Sequence, residues 1–349
     1  MHGERMAAEI AEQPAVFARI LTEGRARIAA VAAAVRARQP RFALFVARGT
    51  SDHAALYAKY LIETRLGLPC GLVSPSAATV YDARPDCRDV LMIAVSQSGA
   101  SPDLLEPFTR ARAAGAITVA VTNAPGSPLA QAAEFALDIL AGPERAVAAT
   151  KTYTAQLLTL YLLVEALAGR DSAVANTLPA RARATLGTED AVAALAVRYR
   201  FAEQLLTTAR GYNYATAREI ALKLMETSYL VAHSFSGADL LHGPLAMIAR
   251  GFPVIAVVPR GPGGRALLPV LTRLRECNAD LLVVGDPDAA AAFGTVALPL
   301  PDSDPGDDSE PLSPLLTILP MQQFAWHLAR LRGGDPDAPR GLAKVTETW

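Results

Sequence analysis

Lys223 and Glu226 stand three residues apart in Ala221-Leu222-Lys223-Leu224-Met225-Glu226. On a helix that spacing puts both side chains on one face. The residues around them are apolar (Ile220, Leu222, Leu224, Tyr229, Leu230). The pair therefore reads either as a surface ion pair or as a partly buried carboxylate beside a cation. The second arrangement is what a carbon-acid proton shuttle needs: a base held in place, with positive charge near any developing oxyanion. His242 sits just before a Gly243-Pro244 turn, a position equally open to acid–base work and to a structural hydrogen bond. Lysine is scarce in this chain. Only Lys59, Lys151, Lys223 and Lys344 accompany 29 arginines, so a surviving lysine marks a place where a compact amine of adjustable pKa is wanted. Lys59, on an ordinary helix, is the weakest instance; Lys344, near the C-terminal end, is unusual for a tail residue.

A second group of residues suits phosphate. The apolar run Leu91-Met92-Ile93-Ala94-Val95 is followed by Ser96-Gln97-Ser98-Gly99-Ala100-Ser101-Pro102-Asp103. Ser101-Pro102 reads as an N-cap followed by proline at the first helical position. A helix start offers unpaired N–H groups and a positive dipole end to an anion. A simple capped turn would need one hydroxyl, and this loop carries three. Thr50 and Ser51, after an earlier apolar run, add two more hydroxyls on the same sheet edge. No Gly-Lys-Ser/Thr ends either loop, which argues against a nucleoside triphosphate. A monophosphate cradle, a carboxylate base, a histidine and two unusual lysines together describe chemistry on a sugar phosphate: ring opening, and proton transfer beside a carbonyl.

The elements that must position these residues come in two copies. Phe42–Ala47 followed by Arg48-Gly49 and a helix through Thr64 is matched, 162 residues later, by Ala209-Arg210-Gly211 and a helical stretch from Thr216 to Val231. The same offset carries Leu91–Val95 onto Pro253–Val257, and Thr118–Val121 onto Asp280–Val283. Each half reads as strands alternating with helices, an α/β fold with a parallel sheet covered on both faces. In such sheets ligands bind beyond the carboxyl ends of the strands. The expected organisation is a helical arm over 1–35, a first domain over 36–170 and a helical connection over 171–196. A second domain over 197–333 and a tail over 334–349 complete it. The acidic stretch Pro301–Pro311 reads as a solvated loop rather than a metal site.

Composition sets the outer limits. A chain of 349 residues suggests about two domains. With 51% hydrophobic and 19% charged residues, it reads as globular rather than disordered. A net charge of −1 gives no electrostatic reason to bind nucleic acid or an anionic membrane. No apolar run reaches the roughly 18 residues of a membrane helix, and the charged N-terminal residues do not read as a signal peptide. Cys70, Cys87 and Cys277 are odd in number and widely spaced, against a disulfide framework or a zinc site. The expectation is a cytoplasmic enzyme or ligand-binding module.

Several stretches together resemble one family. They are Met6-x-x-Glu9-Ile10-x-Glu12-Gln13-Pro14, Arg48-Gly49-Thr50-Ser51, Ser96-Gln97-Ser98-Gly99 and Val147-Ala148-Ala149-Thr150-Lys151, then Ala221-Leu222-Lys223-Leu224-x-Glu226, Leu241-His242-Gly243-Pro244-Leu245 and Pro339-Arg340-Gly341-Leu342-Ala343-Lys344. Almost end to end, the chain resembles the isomerase half of glucosamine-6-phosphate synthase, built from two sugar isomerase (SIS) domains. The resemblance implies two tandem three-layer αβα domains. It implies that Thr50, Ser51, Ser96, Gln97, Ser98 and Ser101 bind the sugar phosphate, with backbone from Val147. It further implies that His242 opens the ring from the neighbouring subunit of a homodimer, and that Glu226 moves a proton between C1 and C2 with support from Lys223. Lys344 would meet the C2 carbonyl. No metal or organic cofactor is implied. Three departures stand out: the synthase's glutaminase domain is not matched, Ala149 replaces the family's usual serine, and Ser101-Pro102 is more like stand-alone SIS deaminases. The expected activity is therefore conversion of glucosamine 6-phosphate to fructose 6-phosphate and ammonia. The alternatives are a related deaminase or deglycase for galactosamine 6-phosphate or a fructosamine 6-phosphate, and a non-catalytic sugar-phosphate sensor.

Overall fold

The computed structural model describes residues 2–301 and 309–344. Most of the acidic stretch read as a loop, and the last five residues of the expected tail, lie outside the described residues. Two compact units emerge. One comprises Ala15–Glu144, Lys151–Asn176 and the described residues 343–344; the other comprises 2–14, Arg145–Thr150 and the described part of Thr177–Leu342.

The first unit contains β1 (Phe42–Val46), β2 (Cys70–Leu72), β3 (Val90–Ser96), β4 (Ile117–Thr122) and β5 (Phe135–Asp138). They form one parallel sheet in the order β2-β1-β3-β4-β5. Every residue of β3 and β4 is buried, which is why both read as continuous apolar runs rather than alternating ones. Successive side chains point to opposite faces. Val90, Met92 and Ala94 pack with Leu104, Phe108 and Ala111 of the helix Pro102–Ala113. On the other face of this unit lie the helices Arg25–Ala37, Gly49–Arg65 and Lys151–Leu167, which pack on one another. The last of these is almost wholly buried, a mostly apolar stretch over 157–164 flanked by buried polar residues such as Lys151, Gln156 and Glu165.

The second unit repeats the plan. Its strands β6 (Gln204–Ala209), β7 (Val231–Ser236), β8 (Pro253–Val258), β9 (Asp280–Gly285) and β10 (Val296–Pro299) make a parallel sheet in the order β7-β6-β8-β9-β10. That is the topology of the first sheet, strand for strand. Val254, Ala256 and Val258 pack against Leu267, Val270, Leu271 and Leu274 of the helix Pro262–Glu276. The 162-residue offset holds in the backbone too: Gly49 and Gly211 both turn into their helices at positive φ, +54° and +63°. Among the described residues no helix is long and apolar enough to cross a membrane.

One helix is shorter than the sequence pattern suggests. The stretch expected to run to Val231 ends at Ser228. Tyr229 adopts a left-handed φ of 57°, and Val231 opens β7. The Arg340 guanidinium lies 4.1 Å from the Tyr229 ring centroid, and the Arg340 N–H donates to Tyr229 Oη. A tertiary contact from far along the chain holds the ring where the helix stops.

Gly99 shapes the loop after β3. Its φ is +61°, and an added Cβ would lie 2.1 Å from Ser127 Oγ. Gly99→Ala is expected to cost about 1–3 kcal/mol, read as a lower urea midpoint. Gly126→Ala, where an added Cβ meets nothing within 4 Å, should stay within about 0.5 kcal/mol of the parent.

Candidate functional site

In the first unit the hydroxyl-rich loops lie where parallel sheets place ligands. Thr50 and Ser51 open the helix after β1, and Ser96 to Ser101 join β3 to the helix Pro102–Ala113. Ser101 is the N-cap with Pro102 behind it, yet its side chain makes no capping hydrogen bond. The hydroxyls of Ser96 and Ser98 accept from the Gly99 and Ala100 N–H groups, at 3.1 and 3.4 Å, which folds the loop back on itself. Ser51 is buried and accepts a hydrogen bond from Gln156 Nε2 at 3.0 Å. The two loops are tied together: Arg48 Nε sits 2.7 Å from Asp103 Oδ2, and Asp103 is 2% exposed. Gln97 accepts on its carbonyl from Asn123 N, which leaves its side chain partly exposed at the loop.

Lys344 has a partner that sequence reasoning did not find. Its Nζ lies 2.7 Å from Oε2 of Glu144, a fully buried carboxylate. Glu144 also accepts from the N–H and the hydroxyl of Thr152, at 3.0 and 2.8 Å. The pair is separated by 200 residues, so no local spacing could announce it.

In the second unit, Lys223 is 1% exposed and lies between two carboxylates of its own helix, Asn213–Ser228. Glu226 Oε2 is 2.5 Å from Nζ and Glu219 Oε1 is 3.4 Å away. Glu219 is wholly buried, while Glu226 is 22% exposed. The pair read as either a surface or a buried interaction is thus a row of three, one turn apart, with its cation inside. Glu219 was missed, although the four-residue spacing Glu219–Lys223 was legible. Of the two carboxylates beside Lys223, Glu226 is the one that reaches solvent.

His242 closes the short helix Gly237–Leu241, which Ser236 caps by accepting from Asp239 N. The histidine is exposed, and among the described residues its imidazole makes no hydrogen bond. The structural alternative for His242 thus has no support in its own chain. Val147 belongs to this unit. Its N–H donates to the Asp337 carbonyl at 3.2 Å, so only the carbonyl side of its backbone is left to a ligand. The preceding Arg145 and Ala146 N–H groups are fixed by the buried Glu9 carboxylate, which gives the N-terminal Met6-x-x-Glu9 stretch its purpose. Among the described residues, no three His, Cys, Asp or Glu side chains stand together as metal ligands would.

Fold and site define a class: two copies of one parallel-sheet domain in a single chain, a hydroxyl-bearing pair of loops on the first copy, and a carboxylate–ammonium–carboxylate row on a helix of the second. The chain belongs to the SIS domain family, whose model matches residues 37–166 and 199–288. It is 37% identical over 301 residues to the glutamine–fructose-6-phosphate aminotransferase (isomerizing) of Methanothermobacter thermautotrophicus, covering 86% of this chain and 50% of that one. The enzyme of the same name from Symbiobacterium thermophilum is 37% identical over 327 residues, covering 89% and 52%. The chain spans about half the length of the curated relatives it matches. Among solved structures, a protein of Silicibacter pomeroyi DSS-3 described as a phosphosugar isomerase matches with a TM-score of 0.86 at 35% identity, over 96% of this chain and 100% of that one. The C-terminal domain of the glucosamine-fructose-6-phosphate aminotransferase of Francisella tularensis has the same fold, with a TM-score of 0.81 at 24% identity, over 95% and 97%.

The Glu144–Lys344 contact can be checked directly. With one end partly in water, such a pair contributes about 1 kcal/mol. Trypsin cleavage after Lys344 should therefore run about fivefold faster in Glu144→Gln than in the parent. An unchanged rate would mean that the ion pair does not hold Lys344.

Proposed function

We propose that this protein is an aldose–ketose isomerase and deaminase of an amino sugar phosphate, with glucosamine 6-phosphate as the first substrate to test. The observation that carries the reading is the row Glu219–Lys223–Glu226. It fixes one carboxylate that reaches solvent beside a buried ammonium, and a proton transfer at carbon needs both.

The hydroxyls of Thr50, Ser51, Ser96, Ser98 and Ser101, with Gln97 and the carbonyl side of Val147, hold the phosphate and orient the sugar. His242 opens the pyranose by moving a proton from the C1 hydroxyl to the ring oxygen. Glu226 then takes the C2 proton while the electron pair moves onto the C1 aldehyde oxygen, which is protonated to give a 1,2-enolamine. Return of the proton to C1, with loss of an N–H proton, leaves a hydroxymethyl group at C1 and an imine at C2. Water adds to that imine and ammonia leaves, giving fructose 6-phosphate. Lys344, as an ammonium, meets the C2 oxygen as the carbinolamine collapses to the ketone. Run in this direction, the sequence needs only water as co-reactant. Lys223 positions Glu226. The substrate's own C1 aldehyde is the electron sink when the C2 proton leaves.

Equal release of ammonia and fructose 6-phosphate from glucosamine 6-phosphate is the expected result with purified protein. Glu226→Gln should lose about 10²–10⁴ of turnover while still binding substrate. If the parent yields neither product from this sugar or its galacto epimer, the reading fails in favour of a deglycase or a sensor.

The neighbouring subunit's use of His242 is part of the same proposal. It is supported by the exposure of His242 on a surface that also shows Met225, Tyr229, Val231, Leu241 and Met247. Glu226→Gln and His242→Ala, each inactive alone, should recover about a quarter of parental activity when unfolded and refolded together. Random pairing makes half the dimers mixed, with one competent site each. No recovery would place His242 in its own chain's site.

A further inference from the structure

The two repeats build the same loop after their third strand, but fill it with opposite chemistry. With the 162-residue offset, Ser96, Ser98 and Ser101 correspond to Val258, Arg260 and Gly263, and Gly99 corresponds to Gly261. Both of these glycines take positive φ, +61° and +130°. Where the first loop carries hydroxyls, the second carries none. Instead a carboxylate is there. Glu310 Oε1 accepts from the Gly263 N–H at 2.9 Å, at the start of the helix Pro262–Glu276, and Glu310 is only 5% exposed.

The glycines and the carboxylate require one another. An added Cβ at Gly261 would lie 2.4 Å from Glu310 Oε2, and one at Gly263 would lie 2.4 Å from Oε1. A serine at 263, the residue found at the corresponding position 101, could not coexist with Glu310 in this place. Further around the same unit, Asn213 stands where the first repeat has Ser51. Its polar atoms are saturated by Ser313, Thr216 and Thr317. Arg260, where the first repeat has Ser98, is paired with Asp286 at 3.0 Å.

We propose that Glu310 is the resident anion of the second repeat, an intramolecular carboxylate seated in a loop whose first-repeat counterpart is left open for a phosphate. The N–H groups of a helix start favour negative charge, and the chain supplies that charge covalently in one copy and not in the other. Removal of the carboxylate converts the second loop into a second binding site for a small tetrahedral oxyanion. The statement concerns Glu310 and its loop alone, and it stands whether or not the first loop takes the proposed substrate.

The probe is inorganic phosphate, with the full chain and its Glu310→Ala variant. Without phosphate the variant should melt about 4–10 °C below the parent. Added phosphate should restore part of that loss, beyond any shift the parent shows, and equilibrium dialysis should count one more phosphate per chain in the variant. Equal phosphate binding by parent and variant, with no added recovery of melting temperature, would overturn the proposal. If Glu310→Ala is soluble only when prepared in phosphate, that supports it. If it is insoluble in both buffers, Glu310→Gln decides, since the amide loses only the charge. A melting temperature equal to the parent's, or a lowered one that phosphate does not restore, would overturn the proposal, and a lowered one that phosphate partly restores would support it.

Discussion

Every strand in both sheets runs parallel to its neighbours, and this single constraint governs where chemistry can occur. Parallel strands return through crossover helices, so each loop leaving the carboxyl end of a strand must start a helix. Each such start leaves backbone N–H groups without intrahelical partners. Those donors collect along one edge of each sheet and must be answered by side chains, water or an anion. In the first repeat the hydroxyls of Ser96 and Ser98 accept from such groups, and in the second the carboxylate of Glu310 does. The same edge, built twice by one topology, thus carries neutral hydroxyls in one copy and a fixed negative charge in the other.

The second constraint is the burial of Lys223. An ammonium taken out of water is costly unless neighbouring charges and hydrogen bonds repay the loss. Two carboxylates one turn away on the same helix do so, and the outcome is asymmetric. Glu219 is sealed with the lysine, while Glu226 retains a path to the surface. Helix geometry, through three- and four-residue spacings, therefore places one carboxylate inside with the lysine and the other at the surface.

Much of this was legible from the residues because it is local or repeated. The offset of 162 matches the apolar strand runs of the two halves, and the fold extends that match to the strand order, the positive-φ glycines Gly49 and Gly211, and the starts of the long final helices at Lys151 and Ser313. The loop Ser96–Ser101 and the pair Lys223–Glu226 were visible by type and spacing. Contacts made across sequence were not. Nothing near Glu144 signals Lys344, and nothing near Glu310 signals Gly263. The end of the helix at Ser228 depends on Arg340 lying against Tyr229, whereas the apolar pattern by itself continues to Val231. The role of Glu9, which fixes the backbone ahead of Val147, is equally a property of the folded chain.

The two units are not two stretches of sequence, since segments 2–14 and 145–150 belong with the second sheet and residues 343–344 with the first. For a chain made from its N-terminus onward, this has a temporal meaning. At about 5–20 residues per second, the carboxylate of Glu144 exists for roughly 10–40 s before its lysine has been synthesised. During that interval Thr152, eight residues on, is already at hand to donate to it. The first sheet can form while the ribosome is still at work, and the Lys344 contact with its buried carboxylate is added about 200 residues later.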